Sequence, residues 1–221
     1  MSVTEWLQSV LPRGAACAGG GLLSLSDAPL FPVEETSVER AVPKRRTEFR
    51  TGRAYARAAL AALGCAPAPI PVGESRQPLW PNGFLGSISH SGPICASVVG
   101  RSKYFAGLGL DFELDEVLET DLYPLICRED ELYLKQYLAG TAIDPGKLTF
   151  VIKEAVYKAY FPGAGVFLDF QDVKVEIDPA RTGFQALLVN SSAPSLAGRR
   201  QLAGTYAHID RYLIAFIAVP T

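Results

Sequence analysis

Apolar residues recur along this chain with several different periods, and each period predicts an element. Trp6, Leu7, Val10 and Leu11 have the spacing of one face of a short amphipathic helix. Pro29-Leu30-Phe31-Pro32 then punctuates the chain before Val33-Glu34-Glu35, whose acids suit the positive end of a helix. Over residues 44–63, Phe49, Ala56, Leu60 and Leu63 share one face and Arg46, Arg50, Arg53 and Arg57 another. A long helix is predicted there, ended by Gly64. Residues 65–81 are proline-rich and read as an extended connector closed by the turn dipeptide Asn82-Gly83. Short apolar runs at 84–90, 94–99 and 104–112, separated by glycine, serine and proline, are expected to be neighbouring strands.

The second half repeats this style, with helical spacing at 128–138 and 148–160 and strands predicted at 173–177, 184–189, 202–208 and 212–219. Each half offers a long helix and a small sheet, an order of elements that fits α+β better than an alternating parallel sheet. One unit over 1–221 is expected, with approximate lobes 1–112 and 113–221. No residue-level repeat between the halves is visible.

Composition narrows the partners. The formal net charge of the 221 residues is −2, so no global positive field draws the chain to nucleic acid or to an anionic membrane. An anionic ligand must be held by local basic groups. Cys17, Cys65, Cys95 and Cys127 are dispersed and form no C-x-x-C pair, which points to a reducing cytoplasm rather than to disulfides or a zinc knuckle. Ala15-Ala16-Cys17 has a superficial lipobox look, but a basic n-region is missing and Arg13 interrupts the apolar stretch. The longest strongly apolar run, 213–219, is far short of the roughly 20 residues a membrane helix requires, so a soluble protein is expected.

Three segments carry candidate chemistry. In Gly109-Leu110-Asp111-Phe112-Glu113 an apolar strand ends in two carboxylates on one face, hard oxygen donors of the kind that suit Mg²⁺ or Mn²⁺. Taken alone, the pair reads first as an acidic strand end running into Asp115, Glu116 and Glu119. The helix containing Lys153-Glu154-Ala155-Val156-Tyr157-Lys158 sets Glu154 and Lys158 one turn apart among apolar neighbours, as an ordinary i,i+4 ion pair or as a carboxylate and an ammonium serving a phosphate. Gly86-Ser87-Ile88-Ser89-His90-Ser91-Gly92 reads as a strand-to-turn segment, either a phosphate nest or a plain turn. The other histidine, His208, is read as structural, and most of the arginine stripe as a solvated face with one or two members aimed at a ligand.

Together and in this order these segments resemble the phosphopantetheinyl transferase superfamily, in its enterobactin-synthetase-component-D-like group. The resemblance runs from Leu30-Phe31-Pro32-Val33-Glu34-Glu35 through Lys44-Arg45-Arg46-Thr47-Glu48-Phe49, Gly52-Arg53-Ala54-Tyr55 and Pro78-Leu79-Trp80-Pro81 to the two acidic motifs. It implies a fold of two similar lobes, with coenzyme A bound between them as substrate. It also implies transfer of the 4′-phosphopantetheine arm to a serine of an acyl or peptidyl carrier protein in fatty acid, polyketide, siderophore or other nonribosomal peptide synthesis. By position, the resemblance makes Asp111, Glu113 and Glu154 ligands of Mg²⁺, with Mn²⁺ as the alternative. Glu154 and Lys158 become catalytic, with the serine proton going to Glu154 or to a water it holds. Arg45, Arg53, Arg76, Ser89, His90, Asp111 and Lys158 become contacts to coenzyme A. A monomer that meets its carrier transiently is expected. A magnesium-dependent phosphohydrolase acting on a pyrophosphate, and an inactive scaffold that binds coenzyme A or a carrier, are the alternatives.

Overall fold

In the computed structural model, which describes residues 1–24, 27–178 and 182–221 and only the backbone of Tyr137, the chain divides into two units, Met1–Phe105 and Ala106–Thr221. The first unit opens with α1 (Val3–Val10), started by a capping box in which Glu5 N–H donates to Ser2 Oγ and Ser2 N–H to the Glu5 carboxylate. Its Val3, Trp6 and Leu7 are buried. The next element, β1 (Ala15–Gly21), has no apolar alternation and was invisible to pattern reading. It exists because it pairs along its whole length with β3 (Ile94–Arg101), from Ala15 opposite Gly100 to Gly21 opposite Ile94. With β2 (Phe84–Ser91) on the other side of β3, the sheet order is β1-β3-β2. The predicted helix at 33–35 is a single turn, α2 (Pro32–Glu35). The long helix forms as α3 (Pro43–Ala62), whose Ala56, Ala59 and Leu60 pack with Ile70 and Val99 into the core of this unit.

The third strand of the predicted β region leaves its neighbours. Strand β4 (Phe105–Leu114) belongs to the five-stranded sheet of the second unit, in the order β4-β8-β7-β6-β5, and a division after residue 112 would fall inside it. Strands β5 (Val173–Asp178), β6 (Gly183–Leu188), β7 (Gln201–Ile209) and β8 (Tyr212–Pro220) form an antiparallel meander. The apolar run 213–219 lies within β8, between β4 and β7 and buried almost throughout.

The predicted helix at 128–138 is broken into pieces. Around it stand α4 (Tyr123–Ile126), a 3₁₀ turn (Glu129–Glu131) and α5 (Leu134–Tyr137). The cause is Glu131, which turns inward to accept N–H groups from Arg128 and Val175 and leaves Leu132 and Tyr133 exposed. Helix α6 (Pro145–Ala164) is longer than its prediction, because Asp144 caps it by accepting the Lys147 N–H and Pro145 pre-sets its first turn. Its Val151, Ile152, Ala155, Val156 and Ala159 form one core with Leu213, Ala215 and Ile217. Each unit is thus a long helix on a mainly antiparallel sheet, the expected α+β class. Among the described residues no helix is long and apolar enough to cross a membrane.

Candidate active site

Gly107, Gly109, Asp111 and Glu113 alternate along one face of β4. A Cβ at Gly109 would stand 1.8 Å from the Ala155 carbonyl oxygen, and one at Gly107 2.2 Å from that of Ala159. No side chain fits in either place, so strand and helix meet backbone to backbone. That approach brings the next residue on the face, Asp111, to α6. Its Oδ1 lies 2.6 Å from Lys158 Nζ, and the aspartate is only 3% exposed. The lysine that could have paired one turn back along its own helix closes on the strand instead.

Glu154 faces the same cluster. Burial pushes its carboxyl above the ordinary value of 4.5; Lys158 pulls it down, and the negative charges of Asp111 and Glu113 push it further up. The four side chains singled out in these two motifs, three acids and one ammonium, thus lie together on β4 and α6. Among the described residues no three His, Cys, Asp or Glu side chains are arranged to hold a metal ion. The cation standing against Asp111 is Lys158.

Two further features of this region were not read from the sequence. A cavity of about 140 Å³ adjoins Glu154, walled by Tyr157, Phe167, Leu168 and Phe170. Lys153, the first residue of the helical motif, turns away from the acids: its buried Nζ donates to the carbonyls of Ile126 and Phe170 at 2.8 and 2.9 Å and to Glu131 at 2.8 Å. Three acceptors use its three protons, so this lysine is a structural tie.

In the first unit, Arg45 and His90, both expected to contact coenzyme A, meet one another. Arg45 Nη1 is 2.8 Å from His90 Nε2, a contact in which the guanidinium can only donate. Glu48, missed by the sequence reading, lies 3.7 Å from both. Its signal was available, since Lys44 and Arg45 stand four and three residues before it on one helix.

The remaining candidates part company. Arg53 is 6% exposed, with Nε donating to the Ile70 carbonyl at 2.7 Å and its guanidinium 4.2 Å from the centre of the Phe49 ring. Burial lowers its pKa to about 10. Ser89 is buried within β2 on the face opposite His90, and Arg76 is exposed in the turn that runs from Gly73 to Gln77, with φ of 68°. The nest reading of residues 86–92 fails: β2 pairs with β3 from Phe84 to Ser91, which makes an extended ladder rather than a cradle of N–H groups. The stripe is not a solvated face either. Arg46 bonds the carbonyls of Val38 and Glu39, Arg50 grips Glu35 with contacts of 2.6 and 2.7 Å, and Arg57 holds Glu34 and the Pro29 carbonyl. These arginines fasten residues 29–39 to α3. His208 pairs with Asp115 at 2.8 Å, a local tie as expected.

A family model of the 4′-phosphopantetheinyl transferase N-terminal domain matches residues 33–100, and one of the 4′-phosphopantetheinyl transferase superfamily matches residues 107–217. The 4′-phosphopantetheinyl transferase Svp of Streptomyces mobaraensis is 35% identical over 209 residues, covering 89% of this chain and 83% of its own. The 4′-phosphopantetheinyl transferase PptT of Mycobacterium tuberculosis is 35% identical over 193 residues, 86% of this chain and 85% of its own. Enterobactin synthase component D of Salmonella typhi is 38% identical over 121 residues, 53% of this chain and 49% of its own. With half of its length matched by the superfamily model and long relatives across most of the remainder, the chain belongs to the 4′-phosphopantetheinyl transferase superfamily.

Proposed function

We propose that this chain transfers the 4′-phosphopantetheine arm of coenzyme A to a serine hydroxyl of an acyl or peptidyl carrier protein and releases 3′,5′-ADP. The observation that carries the reading is the convergence of Asp111, Glu154 and Lys158 across the glycine contact of β4 and α6. In the reaction the serine Oγ forms a bond to the phosphorus bearing the arm. The bond from that phosphorus to the oxygen of the ADP portion breaks, and its electron pair leaves with ADP. Glu154 accepts the serine proton, a task favoured by a carboxyl held above the ordinary range. Lys158 meets the charge that grows on the departing phosphate.

Arg45 and His90 hold phosphate oxygens of coenzyme A, with Arg53 behind them, and Arg76 adds an exposed guanidinium. Ser89, turned to the other face of β2, has the weakest claim to that set. The aromatic-walled cavity beside Glu154 suits the slender pantetheine arm.

The donor chemistry also fits a hard divalent cation. Asp111, Glu113 and Glu154 offer only carboxylate oxygens, and their mutual repulsion at Glu154 is what a divalent charge relieves. These three residues would hold Mg²⁺, which would supply positive charge to the pyrophosphate. A monomer working in the cytoplasm completes the reading, in keeping with four free thiols.

The test is intact-mass analysis of apo carriers of several classes, incubated with the protein, coenzyme A and Mg²⁺. One pantetheine arm per carrier is expected, lost when the acceptor serine is replaced by alanine. Breakdown of coenzyme A at the same rate without any carrier would instead establish a phosphohydrolase.

A further inference from the structure

Glu34 is fully buried, yet it is a carboxylate on a single turn of helix near the start of the chain, outside the set of candidates above. Its two oxygens accept four contacts: the Phe31 N–H at 2.9 Å, the Ile70 N–H at 2.7 Å, and Arg57 Nη1 at 3.0 Å from each oxygen. The backbone of Ile70 links it to the coenzyme site. Ile70 gives its N–H to Glu34 and accepts the Arg53 Nε–H on its carbonyl oxygen, at 2.7 Å in both directions, so the two peptide groups that flank its Cα carry the link. Phe49 covers one face of the same guanidinium. One side of Arg53 is thus anchored, and its terminal nitrogens are what remains to meet an anion.

We infer that Glu34 is a positioning residue for coenzyme A binding: through the backbone of Ile70 it orients Arg53, and its charge keeps that buried cation in place. The electrostatics agree with the geometry. Arg53 has lost most of its water and has Arg45 and Arg57 as like-charged neighbours, both acting against it, whereas Glu34 supplies the compensating negative charge. A cation desolvated in this way attracts a phosphate with little screening, provided it is held both charged and aimed. The inference rests on the reading of Arg53 as a coenzyme contact.

A double-mutant cycle on the full-length protein tests it, with coenzyme A affinity read by calorimetry and kcat and KM from carrier modification. Arg53→Ala is expected to weaken binding by about ten- to a hundredfold, the effect of one lost charge-assisted contact. Glu34→Gln should weaken it by about tenfold, within the span for residues sharing a hydrogen-bond network, with the loss in KM rather than kcat. In the Arg53→Ala background, Glu34→Gln should cost almost nothing further.

A purely architectural glutamate gives another pattern: a lower melting temperature with full affinity, or losses that multiply. Either result overturns the inference and leaves the coenzyme reading standing. Unchanged affinity in Arg53→Ala overturns both. Should Glu34→Gln fail to fold, Glu34→Gln/Arg57→Met, which removes both members of the Glu34–Arg57 pair, takes its place in the same cycle against Arg57→Met.

Discussion

Glu34 in the first unit and Glu131 in the second occupy the same local architecture. Each is the third residue of a single helical turn and accepts the N–H of the residue just before that turn, Phe31 or Arg128. Each also takes an N–H from a later segment, Ile70 at 2.7 Å or Val175 at 2.6 Å. Each meets a cation on the long helix of its unit, Arg57 or Lys153, 23 and 22 residues further on. The difference lies in that cation. The planar guanidinium of Arg57 spans both oxygens of Glu34 and reaches the Pro29 carbonyl, whereas the compact ammonium of Lys153 takes one oxygen of Glu131 and two carbonyls. The two halves therefore share a hydrogen-bond device in which the glutamate alone is common and its donors differ, which is why no repeat is visible in the sequence. What each device steadies also differs: Arg53 in the first unit, and in the second the helix that bears Glu154 and Lys158. In the proposed function the anion contacts come from the first unit and the reacting groups from the second.

That division can be broken by experiment. The largest effect should come from Glu154→Gln, which keeps shape but cannot take the serine proton. Transfer should fall by roughly 10²–10⁴, with calorimetric coenzyme A affinity nearly intact. Near-normal turnover would remove Glu154 from the chemistry.

Stability separates the two glutamate devices. The side chain of Lys153 is 1% exposed and that of Arg57 16%. Lys153→Met should accordingly cost about 3–5 kcal/mol in urea unfolding, because water cannot reach the charge left behind on Glu131. Arg57→Met should cost about 1.5–3 kcal/mol. Equal costs would mean that the exposure difference has no energetic weight.

His90→Ala sharpens the functional side, with an apparent KM for coenzyme A raised about ten- to a hundredfold and little change in kcat. A loss confined to kcat would put the imidazole with the reacting groups instead. Gly109→Ala comes next, at about 1–3 kcal/mol of overpacking, and should lower transfer by shifting Asp111 away from Lys158. Chemical denaturation and carrier modification read the two consequences separately.

The smallest effect is a pH dependence in the metal-free protein. A carboxyl whose folded pKa lies above its unfolded value destabilises the folded state when charged, and the penalty is relieved as pH falls from the folded towards the unfolded value. Glu154→Gln should therefore melt slightly above the parent at neutral to alkaline pH, with the gap closing towards acid. A gap constant with pH would mean that burial and the neighbouring acids do not shift Glu154.

The sequence disclosed elements whose period matched their burial. Helices α3 and α6, strands β2 and β3, and the meander β5 to β8 were all legible this way. Strand β1 was not, because alanine and glycine have little strand preference and only its ladder with β3 defines it. The broken helix at 128–138 was misread because Glu131 faces inward while Leu132 and Tyr133 face out, the reverse of what their chemistry suggests. In the site, the four β4 and α6 residues were found as motif members. Glu34 and Lys153 had their place in the motifs but not their roles, since a buried charge satisfied by distant backbone leaves no local pattern. The arginine stripe shows the same limit, as helical spacing reveals a shared face but not what lies against it.

The contact of Gly107 and Gly109 with α6 sets apart two kinds of intolerance to mutation. Every replacement at these positions adds at least a Cβ, and that atom meets the helix carbonyls whatever chemistry follows it. Asp111 and Glu113, next along the same face, carry side chains whose removal leaves the backbone room it already has. In a library of variants sorted only for soluble folded protein, the two glycines should be nearly invariant while the two acids drift. Sorted for growth that depends on carrier modification, all four should be held. The alternating face would then appear as two positions guarded by shape and two guarded by charge.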